Sequence, residues 1–172
     1  MRKIVVTFGL IAGAIMSVLM ALSLQFQDAI GFEHSYLVGY TSLVLGFLMV
    51  FFGVKSYRDN VQNGSVTFGR AFKVGLMITG IATLCYVGTW EVMYYGFMPD
   101  FLDKYSAYAM EQAKKSGATE AQMAEQQKKM ADFVEQYKNP LVNVAFTALE
   151  PLPVGLVFTL VAAGVLSRKR VS

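Results

Sequence analysis

Two glutamates are the residues of this sequence best placed to do chemistry, because each lies inside a long apolar run. Glu91 precedes Pro99 by eight residues and Glu150 follows Pro140 by ten, so in helices each would lie about 12 to 15 Å from the nearer proline. A charge near the centre of a bilayer costs at least about 2.5 kcal/mol, so such a carboxyl faces other helices or carries a proton. If the two glutamates meet, repulsion and desolvation favour a shared proton, as in a proton or ion site. The alternative is that each one only holds helices together through hydrogen bonds, with candidate partners Thr89, Tyr94, Asn143 and Thr147.

The residues after Glu150 predict a break in the helix that carries it. Pro151 and Pro153 have no N–H group, so two carbonyls of the preceding turn lose their usual donor, and Gly155 adds flexibility. Many transporters build ion sites where a helix is broken beside an acid. The simpler alternative is a structural kink whose free carbonyls are satisfied by neighbouring hydroxyls. The two prolines directly indicate a kink in the helix, whereas a transport function is suggested only by analogy with the broken helices of transporters.

The sequence contains four long apolar runs, two of which include these glutamates, and the runs indicate the class of protein. Of the 172 residues, 55% are hydrophobic and 16% are charged, whereas soluble domains carry about 25% charged residues. Runs of 18 or more apolar residues are typical of membrane-spanning helices, and continuous runs of this length do not fit the alternating strands of a barrel. We therefore predict an all-α polytopic membrane protein with one membrane domain, residues 1–172. Its spans are about 4–24, 36–54, 74–98 and 141–166.

The charges predict the orientation of these spans. Both ends of the chain and the middle connection carry nine basic residues and one acid, whereas the other connections carry six lysines and nine acids. Because cytoplasmic loops are enriched in Lys and Arg, we expect both termini in the cytoplasm. The basic residues of the C-terminal tail are Arg168, Lys169 and Arg170. The same pattern explains the mild basicity of the chain without a nucleic-acid partner.

The long polar segment 99–140 predicts an extramembrane helical hairpin between the third and fourth spans, on the side of the membrane opposite the termini. Gly117 is suited to end the first arm, because glycine readily adopts the left-handed conformation after a helix. Thr119 and Gln122 have the spacing of a capping box that begins the second arm. Such a pair of amphipathic helices can pack on itself, cap the bundle or lie on the membrane surface, and its mixed charge favours the first two.

The first span carries small residues at every fourth position: Gly9, Gly13, Ser17 and Ala21. Small residues at this spacing let another helix approach closely, either within the same bundle or in a homodimer. Because other spans carry similar stripes, we expect packing within the bundle to account for most of them. A homo-oligomer and another membrane protein remain candidate partners beside the lipid bilayer.

The middle connection, residues 55–73, contains the motif Tyr57-Arg58-Asp59 and the turn signal Asn63-Gly64. Neighbouring residues on a helix point in different directions, so we expect Arg58 and Asp59 to pair elsewhere and not with each other. The simplest role of the basic residues here is to anchor the protein to lipid headgroups. They are Lys55, Arg58, Arg70 and Lys73.

The motifs together resemble a bacterial membrane family labelled only as domain of unknown function 4199. The resemblance covers nearly the whole chain and rests on short groups of aromatic, glycine, proline and acidic residues. They are Tyr57-Arg58-Asp59, Gly64, Phe68-Gly69, Ala71-Phe72, Gly75, Trp90, Pro99-Asp100-Phe101, Asn139-Pro140, Glu150, and Pro153-Val154-Gly155. It implies a four-span protein of the Gram-negative cytoplasmic membrane with a periplasmic hairpin, and it implies no activity.

The sequence predicts no enzyme, cofactor or metal site. It has no P-loop, no H-E-x-x-H and no CxxC motif, and its only histidine, His34, lies in a short predicted outer loop. We therefore expect a structural or accessory membrane subunit. The competing hypothesis is a small proton- or ion-coupled carrier that uses Glu91 and Glu150.

Overall fold

The computed structural model of the chain describes residues 1–168, apart from the side chains of residues 28–30 and 33. Lys169 and Arg170 of the predicted basic tail lie outside the described residues. The described chain contains seven α-helices and no strand, which confirms the all-α fold class. The helices are α1 (Arg2–Gln25), α2 (Gln27–Val61), α3 (Phe68–Phe97), α4 (Phe101–Lys115), α5 (Glu120–Tyr137), α6 (Pro140–Leu149) and α7 (Pro151–Leu166).

Four helical segments are long and apolar enough to cross a membrane. They are Arg2–Gln25, His34–Val61, Phe68–Phe97 and Pro140–Leu166, the last of which combines α6 and α7. About 20 residues of helix cross 30 Å of hydrocarbon, so each segment has the required length. The chain is therefore a multi-pass helical membrane protein.

The helices extend further than the apolar runs, and two predicted connections are wrong in this respect. The segment between the first two spans, predicted as a loop, is helical from Gln27 and is interrupted only at Gly31, whose φ of 76° suits glycine. At the other end, α2 continues through the polar residues up to Val61. Polarity marks where the lipid ends, whereas a helix ends only where its backbone is capped or broken. The turn at Asn63 and Gly64 is confirmed, since both residues have positive φ.

The first of two compact units comprises Met1–Trp90 and, within the described residues, 148–168. Its core contains Met16, Leu43, Phe47, Val50 and Ile78, all fully buried. Glycines allow its helices to approach closely: a methyl group at Gly46 would overlap Met16, and one at Gly155 would overlap Thr79 and the Phe47 ring. The outer faces of the same helices keep large apolar side chains exposed, as a lipid-facing surface requires. Examples are Leu10, Val18, Leu37, Leu84 and Val157.

The second unit, Glu91–Thr147, contains the end of α3, both α4 and α5, and most of α6. The predicted end of the first arm is confirmed, because Gly117 has φ 78° directly after α4. The capping box is also confirmed: the Gln122 N–H donates to Thr119 Oγ1 (3.3 Å), and the Thr119 N–H donates to Gln122 Oε1 (2.9 Å). α4 and α5 contact each other through Tyr105 and Phe133, whose ring centroids are 6.3 Å apart.

Candidate functional site

The carboxyl group of Glu150 lies in the first unit, where it is held from α3. The hydroxyl of Tyr86 donates to Glu150 Oε2 at 2.8 Å, and only 5% of Tyr86 is exposed. Gly39 on α2 faces the other oxygen: a Cβ atom at Gly39 would lie 4.0 Å from Oε1. The carboxyl group therefore lies among residues of α2, α3 and the break before α7. A tyrosine hydroxyl can donate to a carboxylate and equally to the carbonyl of a carboxylic acid, so this contact suits either state.

Glu150 is also the residue at which the helix of the fourth span is interrupted. α6 ends at Leu149 and α7 begins at Pro151, the position where a missing N–H group costs least. Pro151 is buried and Pro153 is exposed, so the two prolines play different packing roles. Gly155, one turn further, is buried against Thr79 and Phe47. Although its helix lies in an apolar span, Glu150 itself is exposed at the surface of the chain.

Hydroxyl groups on α3 extend this polar region into the interior of the unit. Thr79 Oγ1 lies 3.1 Å from Thr159 Oγ1 and 3.4 Å from the carbonyl oxygen of Gly155. Thr83 Oγ1 is buried and has no hydrogen-bond partner within residues 1–168. Thr79, Thr83 and Tyr86 are spaced i, i+4, i+7, so they lie along one face of α3. Sequence analysis missed this row, although three hydroxyls at helical spacing within an apolar run were a readable signal.

Glu91 belongs to the second unit, separate from the unit that holds Glu150. One of its oxygens, Oε1, is buried and has no partner among the described residues. Two of the partners expected for the glutamates form other hydrogen bonds. Thr89 Oγ1 donates to Ser17 Oγ at 2.7 Å, and Thr147 Oγ1 donates to the carbonyl of Asn143 at 2.9 Å.

The small-residue stripe of α1 faces α3 of the same chain. A methyl group at Gly9 would overlap Ile81, and one at Gly13 would overlap Cys85. Ser17, one turn further, donates to the carbonyl of Cys85 at 3.4 Å, and Ala21 is half-buried. In this arrangement the close approach serves contact between two helices of one bundle.

A second polar cluster joins the end of α2 to the start of α3. Tyr57 is buried, and its hydroxyl accepts a 3.3 Å hydrogen bond from Gln62 Nε2. Gln62 Oε1 in turn accepts a 2.7 Å hydrogen bond from Arg70 Nη1. The prediction that Arg58 and Asp59 do not pair is wrong, since Arg58 Nε lies 2.7 Å from Asp59 Oδ1. The expectation rested on the different directions of the Cα–Cβ bonds of adjacent helical residues. The arginine side chain is long enough to bend so that its guanidinium group reaches the neighbouring carboxylate.

Other ligand chemistry is not evident in the described residues. Within residues 1–168, no group of three or more His, Cys, Asp and Glu side chains is arranged to hold a metal ion. Cys85 is a half-buried free thiol. The polar features of the first unit include its hydroxyl row, the Glu150 carboxyl and the turn between α2 and α3.

The fold and these sites define a multi-pass helical membrane protein with a carboxyl group inside a span. The chain belongs to the family described as protein of unknown function (DUF4199), whose model matches residues 7–168. This match confirms the resemblance seen in the motifs. No curated protein and no solved structure matches the chain.

Proposed function

We propose that the protein is a structural or accessory subunit of a bacterial cytoplasmic membrane, with the lipid bilayer and another membrane protein or a second copy as its partners. The observation that supports this role is the close packing inside the first unit. A methyl group at Gly46 would overlap Met16, and one at Gly155 would overlap Thr79 and Phe47. Helices that meet this closely form a rigid scaffold and leave little space for a substrate between them.

The excess of Lys and Arg at both ends of the chain and in the connection 55–73 supports an orientation with the termini in the cytoplasm and the hairpin in the periplasm. The surfaces of α4 and α5 carry balanced ion pairs, Lys115 with Glu111 (2.8 Å) and Lys129 with Glu125 (2.7 Å), which suits an aqueous location. Labelling with a membrane-impermeant maleimide tests this topology in a Cys85→Ser background. In intact spheroplasts, Lys129→Cys should react and Ser65→Cys should react only after lysis; the reverse pattern would overturn the orientation.

The second candidate function is a small proton- or ion-coupled carrier, and the Glu150 site favours it. Glu150 is an exposed residue beside a helix break, and its carboxyl group accepts a hydrogen bond from the buried Tyr86. Intramembrane acids in such positions are typical of ion pathways. Four spans are few for a carrier, so this function would require a homo-oligomer.

Reconstitution separates the two functions. Vesicles that contain the protein and a pH-sensitive dye should show no acid-dependent signal if the role is structural, and Glu150→Gln should then alter only stability. A carrier should give a signal that Glu150→Gln abolishes while the protein stays folded. The absence of any signal from well-folded wild-type protein would eliminate the carrier.

A further inference from the structure

The turn between α2 and α3 concentrates positive charge at one end of the first unit. The segment from Lys55 to Lys73 carries four basic residues and one acid, Asp59. Lys55 and Arg58 lie three residues apart on α2, and Arg70 and Lys73 lie three apart on α3, so each pair shares a helix face. The first turn of α3 contains no acidic residue, and the positive end of its helix dipole adds to this charge.

Hydrogen bonds fix the shape of this turn. Gln62 links the buried Tyr57 to Arg70, and the Gly64 N–H donates to the carbonyl of Arg58 at 3.0 Å. The chain reverses through Asn63 and Gly64, both with positive φ. The two arginines thus lie on either side of a turn that is held by its own contacts, which limits the entropy lost when a ligand binds.

The guanidinium groups keep donors available. The Arg58 side chain is only 11% exposed, and its single partner within residues 1–168 is Asp59, bound through Nε. Its Nη1 and Nη2 atoms therefore have no partner in that part of the chain. Arg70 uses Nη1 for Gln62. The paired N–H groups of a guanidinium match the oxygens of a phosphate, to which they donate two parallel hydrogen bonds.

Apolar side chains beside these donors indicate an amphiphilic ligand. Phe68 is 48% exposed and stacks on Phe72, with ring centroids 6.0 Å apart, and Val61 is 42% exposed. Val61 is the last residue of one membrane-spanning helix and Phe68 is the first residue of the next, so these two side chains flank the turn. A soluble anion would leave these side chains in water, whereas the acyl chains of a lipid would cover them.

We propose that this end of the first unit, between Arg58 and Arg70, binds the phosphate of an anionic phospholipid while its acyl chains lie on Phe68 and Val61. The proposal narrows the general headgroup anchoring expected from the sequence to one site and one class of lipid, and it is independent of whether the protein is a scaffold or a carrier. Asp59 competes with the lipid for Arg58, and it thereby limits the affinity of the site.

Native mass spectrometry of the full-length protein in detergent tests the proposal with phosphatidylglycerol and phosphatidylcholine as probes. Wild-type protein should retain phosphatidylglycerol in preference to phosphatidylcholine. Arg58→Gln and Arg70→Gln should each weaken phosphatidylglycerol binding by about fivefold, the effect of removing one basic residue near an anionic lipid. Asp59→Asn should strengthen binding, because it releases Arg58 Nε. Lys129→Gln, the same charge change on α5, should leave binding unchanged.

Three results would overturn the proposal. They are equal retention of the two lipids, unchanged binding in both arginine variants, and displacement of phosphatidylglycerol by millimolar inorganic phosphate, which would indicate a site for a soluble anion. If Arg58→Gln does not fold, Arg58→Lys keeps the charge without the paired donors. It should bind phosphatidylglycerol more weakly than wild type, and wild-type affinity in that variant would count against the proposal.

Discussion

The hydroxyl of Tyr86 lies 2.8 Å from Glu150 Oε2, and this hydrogen bond ties the middle of α3 to the residue that precedes α7. It connects a buried donor to an acid at the one residue that separates α6 from α7. Pro151 and Pro153 lack the N–H groups that would continue the backbone hydrogen bonds of the helix. Side-chain contacts therefore contribute more to the position of the start of α7.

Removal of this donor should destabilise the protein. We expect Tyr86→Phe to lower the free energy of unfolding by about 1 to 3 kcal/mol, because the acid loses its hydrogen bond. Glu150→Gln keeps an oxygen acceptor for Tyr86 and should cost less. The measurement is denaturant-induced unfolding in detergent micelles. Tyr40→Phe, at a tyrosine that is 53% exposed, is the matched control and should have no effect; equal losses in the two variants would show that the bond adds nothing.

Close packing at Gly155 gives a second prediction. A methyl group there would approach Thr79 and come within 2.8 Å of two Phe47 ring atoms, so Gly155→Ala should destabilise the protein by about 1 to 3 kcal/mol. Gly164, on the same helix, has nothing within 4 Å of the corresponding position. Gly164→Ala should therefore be neutral or stabilising, because alanine favours helix. Thermal unfolding of both variants in detergent measures the difference, and similar midpoints would contradict the packing described here.

Sequence analysis found the spans because their signal is the length of an apolar run, and it found the capping box because that motif is local. It missed the bond between Tyr86 and Glu150 for a physical reason. A helix between lipid and a protein core is apolar on both sides, so hydrophobic periodicity hardly indicates which face meets another helix. The error at Arg58 and Asp59 has another cause. Spacing rules describe the directions of the Cα–Cβ bonds, whereas a long side chain such as arginine can adopt a conformation that brings its end group back to a neighbouring residue.

The contact between Thr79 and Thr159 gives a third prediction, suited to a double-mutant cycle. Interhelical hydrogen bonds in membranes contribute about 0.6 kcal/mol on average, so Thr79→Val and Thr159→Val should each cause a small loss of stability. Their losses should not add, because the two hydroxyls are 3.1 Å apart and either variant removes the shared bond. Unfolding of the two single variants and of the double variant in the same detergent gives the coupling, and strict additivity would show that the pair is not coupled.

The ion pairs of α4 and α5 give a prediction about pH. A hydrogen bond from Lys115, and then its charge, hold the pKa of Glu111 below its ordinary value of 4.5, and Lys129 does the same to the pKa of Glu125. A carboxyl whose pKa is lower in the folded state stabilises that state above the unfolded pKa, and this contribution is lost as pH falls through the folded value. Both glutamates are fully exposed, so the effect is small and is screened by salt.

Hydrogen exchange measures this effect in the intact protein. After correction for the intrinsic rate, amides of α4 and α5 should exchange faster relative to those of α1 when the pH is lowered from 7 to below 4. The double variant Glu111→Gln, Glu125→Gln should lose most of this pH dependence, since neither side chain then titrates. Glu120→Gln is the control. It removes an acid of α5 that is part of neither the Lys115 nor the Lys129 ion pair, so this variant should keep the pH dependence. A pH dependence that is the same in the double variant and in wild type would assign the acid sensitivity to other groups.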